Sequence, residues 1–178
     1  MSDRLHASLV QFGSWQRVGL LCVACAAVFA IRHLTLLHGA KLDPRDVPDA
    51  RLWYTAADAR DYLDLIGPDA RGVYAVILLT ADVLMPVLYV ALLGGLIARF
   101  CTPGFGRWWV WVPVLAAAMD VGENVLLAYL CVTFDGSVAA LTPLAASLTT
   151  AKWGLSAAAV FGLILGALGR AVVQRKTG

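Results

Sequence analysis

Four long stretches of the chain are almost wholly apolar: residues 18–37, 73–97, 108–134 and 141–172. Each reaches the length of about 20 residues that a helix needs to cross a hydrocarbon layer. The pattern therefore predicts an all-α fold, a four-helix transmembrane bundle forming a single domain over residues 1–178. Only one sizeable piece, residues 39–72, lies between spans as an outer loop. Its opening, "KLDPRDVPD", has two prolines and alternating charges and predicts irregular chain. In "TAADARDYLDLIGPDARGVY", Thr55 and Asp58 are spaced as a capping box with Asp in place of Glu. Ala59, Tyr62, Leu63 and Ile66 follow at helical spacing, and Gly67-Pro68 is a stop signal. This predicts a short amphipathic helix in the loop between helices 1 and 2, lying over the outer mouth of the bundle.

Polar residues interrupt the greasy runs in a regular way. In "AAAMDVGENVLLAYL", Asp120, Glu123 and Asn124 are spaced i, i+3, i+4 and share one helix face. Asp82, Pro86 and Tyr89 share a face of the second span, which puts a proline kink and a phenol beside that carboxylate. Thr149, Lys152, Trp153 and Ser156 form a stripe on the fourth span, and Arg32 and Thr35 lie on the first. Counted from the end nearest the long loop at about 1.5 Å per residue, Arg32 lies roughly 8 Å deep, Asp82 roughly 14 Å, Glu123 and Lys152 roughly 17 Å, and Asp120 roughly 21 Å. Helices of opposite direction thus place their charges in one slab. A charge at the bilayer centre costs about 2.5–3.5 kcal/mol or more on insertion scales, so such residues face a bundle interior or a cavity.

Composition agrees with a bilayer as solvent. Of 178 residues, 60% are hydrophobic and 15% charged, against about 25% charged in a soluble domain. The net charge of +2 with no basic stripe predicts no nucleic-acid partner. Ala24-Cys25-Ala26 fits a signal-cleavage pattern, but the apolar run continues to Leu37, which predicts an uncleaved helix. Seven cations (Arg4, Arg17, Arg99, Arg107, Arg170, Arg175, Lys176) fall on the side of the termini and five (Lys41, Arg45, Arg51, Arg60, Arg71) on the other. That bias predicts cytoplasmic termini. Trp15, Trp108, Trp109 and Trp111 have the positions of interfacial anchors.

Three intramembrane acids, Asp82, Asp120 and Glu123, face two firm bases, Arg32 and Lys152, with His33 able to supply a further proton. A carboxylic acid kept neutral in a dry pocket is a candidate general acid. Asp82, Glu123 and Asp120 are accordingly the candidate catalytic residues. Arg32, Tyr89, Asn124, Lys152 and Trp153 are the candidate binding residues, with Trp153 and Tyr89 able to stack on a substrate or a carbocation. Buried ion pairs that only fix helix register are the competing reading of the same residues. Cys22-x-x-Cys25 invites comparison with a thiol–quinone oxidoreductase, but the outer loop has no cysteine to partner it. Only the first span among the four holds histidine, which disfavours bis-His haem. Gly94-Gly95, Gly162, Gly166 and Gly169 predict close helix packing. No metal or cofactor is expected.

The stretches "LDLIGPDARGVYAVILLTADVLMPVLYVALL" and "MDVGENVLLA" resemble small bacterial four-helix integral membrane proteins without an assigned activity. The resemblance covers the middle half of the chain. It implies a four-helix membrane protein and carries over no catalytic residue; the expected location is the bacterial inner membrane. Acids facing the centre of four helices are also similar in architecture to the sterol-isomerase-like EXPERA proteins, an analogy of plan alone.

The expected function is a membrane protein that acts on or binds an apolar substrate (isoprenoid, sterol-like molecule or lipid), with acid–base isomerisation or cyclisation as the reaction. Its partners would be the lipid bilayer and that ligand. The alternatives are a small proton-coupled transporter working as a homodimer, and a structural membrane subunit.

Overall fold

The computed structural model of the chain describes residues 2–136 and 140–177, and among them every regular element is helical. Helix α1 (Ser2–Val10) leads through a single 3-10 turn at Gln11–Gly13 into α2 (Trp15–Leu34), which widens into a π turn at Thr35–Gly39. An irregular strap containing the short turn Pro48–Ala50 follows. Then come α3 (Ala56–Leu79), α4 (Ala81–Phe100), α5 (Pro103–Trp109), α6 (Trp111–Thr133) and α7 (Thr142–Thr177). Four helical stretches are long and apolar enough to cross a membrane: Trp15–Gly39, Ala56–Phe100, Pro103–Thr133 and Thr142–Arg175. At about 1.5 Å per residue, the 36 residues of α7 outreach a hydrocarbon core of about 30 Å.

The third stretch has the lowest mean hydropathy, 1.5, and the largest buried share, 39%. It sits at the centre of the bundle, with α6 packed against α3, α4 and α7. The surrounding helices turn Leu20, Ile31, Val87, Phe161 and Leu168 outward, an apolar exterior suited to lipid. Inside, Tyr54, Tyr74, Leu36, Leu63, Leu78 and Leu127 form the main core.

Helix α1 lies outside the spans expected from the sequence. Leu5, Leu9 and Phe12 recur at helical spacing and pack into the smaller core cluster, with Leu9 and Phe12 in the notch left by Gly94 and Gly95. A Cβ on Gly13 would lie 2.5 Å from the Gly95 carbonyl, so only glycine permits this approach.

The second span departs from expectation at its middle. The kink assigned to Pro86 is not where the chain breaks, since α4 runs on through Pro86. The break is at Thr80 (φ −119°, ψ −82°), and the Thr80 hydroxyl donates to the Val76 carbonyl at 2.6 Å, replacing the lost helical bond. The Thr55–Asp58 capping box starts α3, and the helix loses helical geometry at Gly67 (φ 74°, ψ 171°) just before Pro68. A positive φ of this size suits glycine, which has no Cβ to clash.

The tryptophans divide by role. Trp15 and Trp108 are largely exposed, as anchors would be, whereas Trp109 stacks on Phe105 and packs against Gly162 of α7. Trp111 also packs into the smaller core cluster rather than facing outward alone.

Candidate functional site

Pro86 has no N–H to give to the carbonyl four residues back, which is that of Asp82. Asn124 Nδ2 donates to that carbonyl at 2.9 Å, linking α6 to α4 just beyond the Thr80 break. The first turn of α4 therefore carries both a carboxylate and a carbonyl that is satisfied from outside the helix.

Two ionic clusters form around this point. In the first, Arg32 on α2 donates from Nε to Asp82 Oδ1 at 2.7 Å and from Nη2 to Asp49 Oδ2 at 2.5 Å. Tyr74 on α3 donates its hydroxyl to the other Asp49 oxygen at 2.5 Å. In the second, Lys152 on α7 lies 3.1 Å from Asp120 Oδ1 and 2.6 Å from Glu123 Oε2. Thr149 offers its one hydroxyl proton to Glu123 Oε1 at 2.5 Å or to the Ala145 carbonyl at 3.0 Å. Tyr89 reaches Asp120 Oδ2 only at 3.5 Å. Each base is thus held between two carboxyl groups.

The two clusters share a cavity of about 380 Å³, lined by polar Arg32, Asp49, Asp82, Asp120 and Lys152 and by apolar Phe29, Met85 and Trp153. The titratable side chains expected to converge from all four spans do meet here. Of the eight residues singled out from the sequence, Asp82, Asp120, Arg32, Lys152 and Trp153 line the cavity. Glu123 and Asn124, both with 0% exposure, stand behind it, as does Tyr89 against Asp120.

Asp49 was not singled out, and it makes the closest contact of the first cluster. Its only sequence signal is the "VPDA" turn, which resembles any surface loop. Its segment forms the outer wall of the cavity through Pro44, Arg45, Asp49 and Ala50, while no residue of α3 lines it. The strap is tied to α7, since Thr150 offers its one hydroxyl proton to the Leu52 carbonyl at 2.9 Å or to the Ala146 carbonyl at 3.2 Å, and Trp153 Nε1 donates to the Arg51 carbonyl at 3.2 Å. At the mouth, hydrogen bonds from Arg45 hold the exposed Asp43 carboxyl below its usual range. Burial pushes the phenol of Tyr54 up, so it stays neutral in the core beneath the strap.

With Asp49 included, four carboxyl groups oppose two firm cations. The sum is two negative charges when all six are ionised. Oδ2 of Asp82 and Oδ1 of Asn124 are buried and have no hydrogen-bond partner among the described residues. All four cysteines are free thiols, and among the described residues no group of three or more His, Cys, Asp or Glu side chains is placed to hold a metal ion.

These features define a class: an all-helical protein with four candidate membrane spans and an ionic cavity between them. Set against family models, curated proteins and solved structures, the chain finds no match in any of the three.

Proposed function

We propose that the chain is an integral membrane protein whose cavity takes up an apolar or amphiphilic small molecule of the isoprenoid, sterol-like or lipid kind. The observation that carries this is the mixed wall of the cavity, with Phe29, Met85 and Trp153 beside Asp49, Asp82 and Asp120. Ligand sites are largely apolar concavities with a few placed polar groups. Asp82 and Asp120 are the proposed acid–base groups, because they line the cavity. Glu123 would act through Lys152, while Arg32 and Lys152 set the charge. Trp153 would pack against the ligand. The acid–base step proposed is isomerisation or cyclisation begun by protonation. The protein would sit in the bacterial inner membrane with both termini cytoplasmic, and residues 56–66 would serve as an amphipathic helix at the outer interface.

The test is extraction of the protein purified in a non-ionic detergent. A stoichiometric apolar molecule should accompany the wild type and be depleted in Ala50→Trp, which fills the cavity from the strap. Equal lipid content in both proteins would defeat the reading.

The break at Thr80 favours a second reading, a proton-coupled carrier acting as a homodimer. Discontinuous spans with a charged group at the broken end recur where transporters bind their cargo. Here proton uptake by loaded liposomes should depend on Asp82.

A further inference from the structure

We infer that the ligand's polar head is a cation, an amine or quaternary ammonium on an apolar tail, and that the cavity discriminates against anionic heads. This rests on the ligand-binding reading above and specifies its chemistry.

Charge comes first. When all are ionised, Asp49, Asp82, Asp120 and Glu123 outnumber Arg32 and Lys152 by two charges. Arg32 and Lys152 are each already held between two carboxyl groups, so neither is free to receive a phosphate or carboxylate. Arg45 and the imidazole of His33 are the other basic groups on the lining, and Arg45 is paired with Asp43 at the exposed mouth. An incoming anion would approach three lining carboxyl groups, Asp49, Asp82 and Asp120, whereas a cation offsets part of the excess negative charge.

An unfilled acceptor is the second observation. Asp82 is 7% exposed and lines the cavity, and its Oδ2 has no hydrogen-bond partner among the described residues. A buried acceptor without a donor is a deficit that the positive field of a cationic head in the adjoining cavity would offset.

The third is the wall. Phe29 of α2 and Trp153 of α7 both line the cavity and both remain substantially exposed, and cations favour aromatic faces. Lys152 Nζ already stands 5.8 Å from the Trp153 ring.

Isothermal titration of the protein in zwitterionic nanodiscs, corrected with empty discs, tests the sign of the charge. Three ten-carbon probes would be compared: decyltrimethylammonium, decyl phosphate and neutral decanol. The expected order places the ammonium at least ~10-fold tighter than the other two, a tenfold step being about 1.4 kcal/mol. Asp49→Asn and Asp120→Asn should each remove most of that preference. Equal or tighter binding of decyl phosphate would overturn the inference and leave the pocket reading standing. Failure of all three probes to bind would overturn both. The comparison among probes is made on the wild-type protein, so it holds even if a variant does not fold.

Discussion

Asn124 supplies to α4 the hydrogen bond that Pro86 withholds, its side-chain amide standing 2.9 Å from the Asp82 carbonyl. In lipid, an unbonded carbonyl has no water to turn to, so proline inside a span needs such a donor from a neighbouring helix. The same contact fixes the depth of α6 against α4, and with it the position of Glu123 and Asp120 relative to Asp82.

This relationship predicts a rescue. Asn124→Ala leaves a buried carbonyl unpaired and should destabilise the protein by about 1–3 kcal/mol. Pro86→Ala restores the missing N–H to α4, so Asn124→Ala should cost much less in that background. Unfolding in mixed detergent micelles, carried through the four members of the cycle, measures the coupling. Additive losses would show that Asn124 acts elsewhere.

Lys152 bridges two carboxyl groups at once, and a buried pair stripped of one partner typically loses about 3–5 kcal/mol. Lys152→Met should therefore destabilise by that order. Adding Asp120→Asn and Glu123→Gln should recover most of the loss, because no charge is then left unpaired. Thermal unfolding in detergent gives the comparison, and a triple variant no more stable than Lys152→Met would refute the charge-balance account.

The strap over the cavity is held to α7 by two hydrogen bonds from side chains, those of Thr150 and Trp153. Thr150→Val with Trp153→Phe removes both donors and little volume. Global stability should fall by only about 1–3 kcal/mol. Tryptic cleavage after Arg45 and Arg51 should nonetheless quicken several-fold, since local opening of the strap exposes the chain there. Unchanged cleavage would mean that these two hydrogen bonds do not secure the strap.

The sequence conveyed the spans and the convergence of Arg32, Asp82, Asp120, Glu123 and Lys152, because a charge in an apolar run has few places to go. Helical spacing and depth then suffice to align the groups. Asp49 escaped because its segment is short, proline-containing and polar, and nothing local distinguishes a strap folded into the cavity from one left in water. The break at Thr80 was hidden for a related reason. Proline advertises a missing N–H, whereas a threonine that turns its hydroxyl onto Val76 looks like any other residue in a span. Helix α1 and its 3-10 turn left only a short apolar stripe, and its docking depends on glycines some eighty residues away.

Those glycines lead to the last prediction. In α7, a Cβ on Gly162 would fall 1.7 Å from Trp109 Nε1, and one on Gly166 would fall 2.4 Å from Cys101 Sγ. Gly154 and Gly169, on the same helix, meet nothing within 4 Å. Glycine spacing alone cannot separate the two pairs, but the packing does. Gly162→Ala must displace the indole that stacks on Phe105, and overpacking of this kind typically costs about 1–3 kcal/mol. Gly154→Ala and Gly169→Ala should be neutral, or more stable by up to about 1 kcal/mol, because alanine favours helix. Melting temperatures of the single variants in one detergent decide the matter. Equal effects at Gly162 and Gly169 would mean that α5 does not rest on α7 through Trp109.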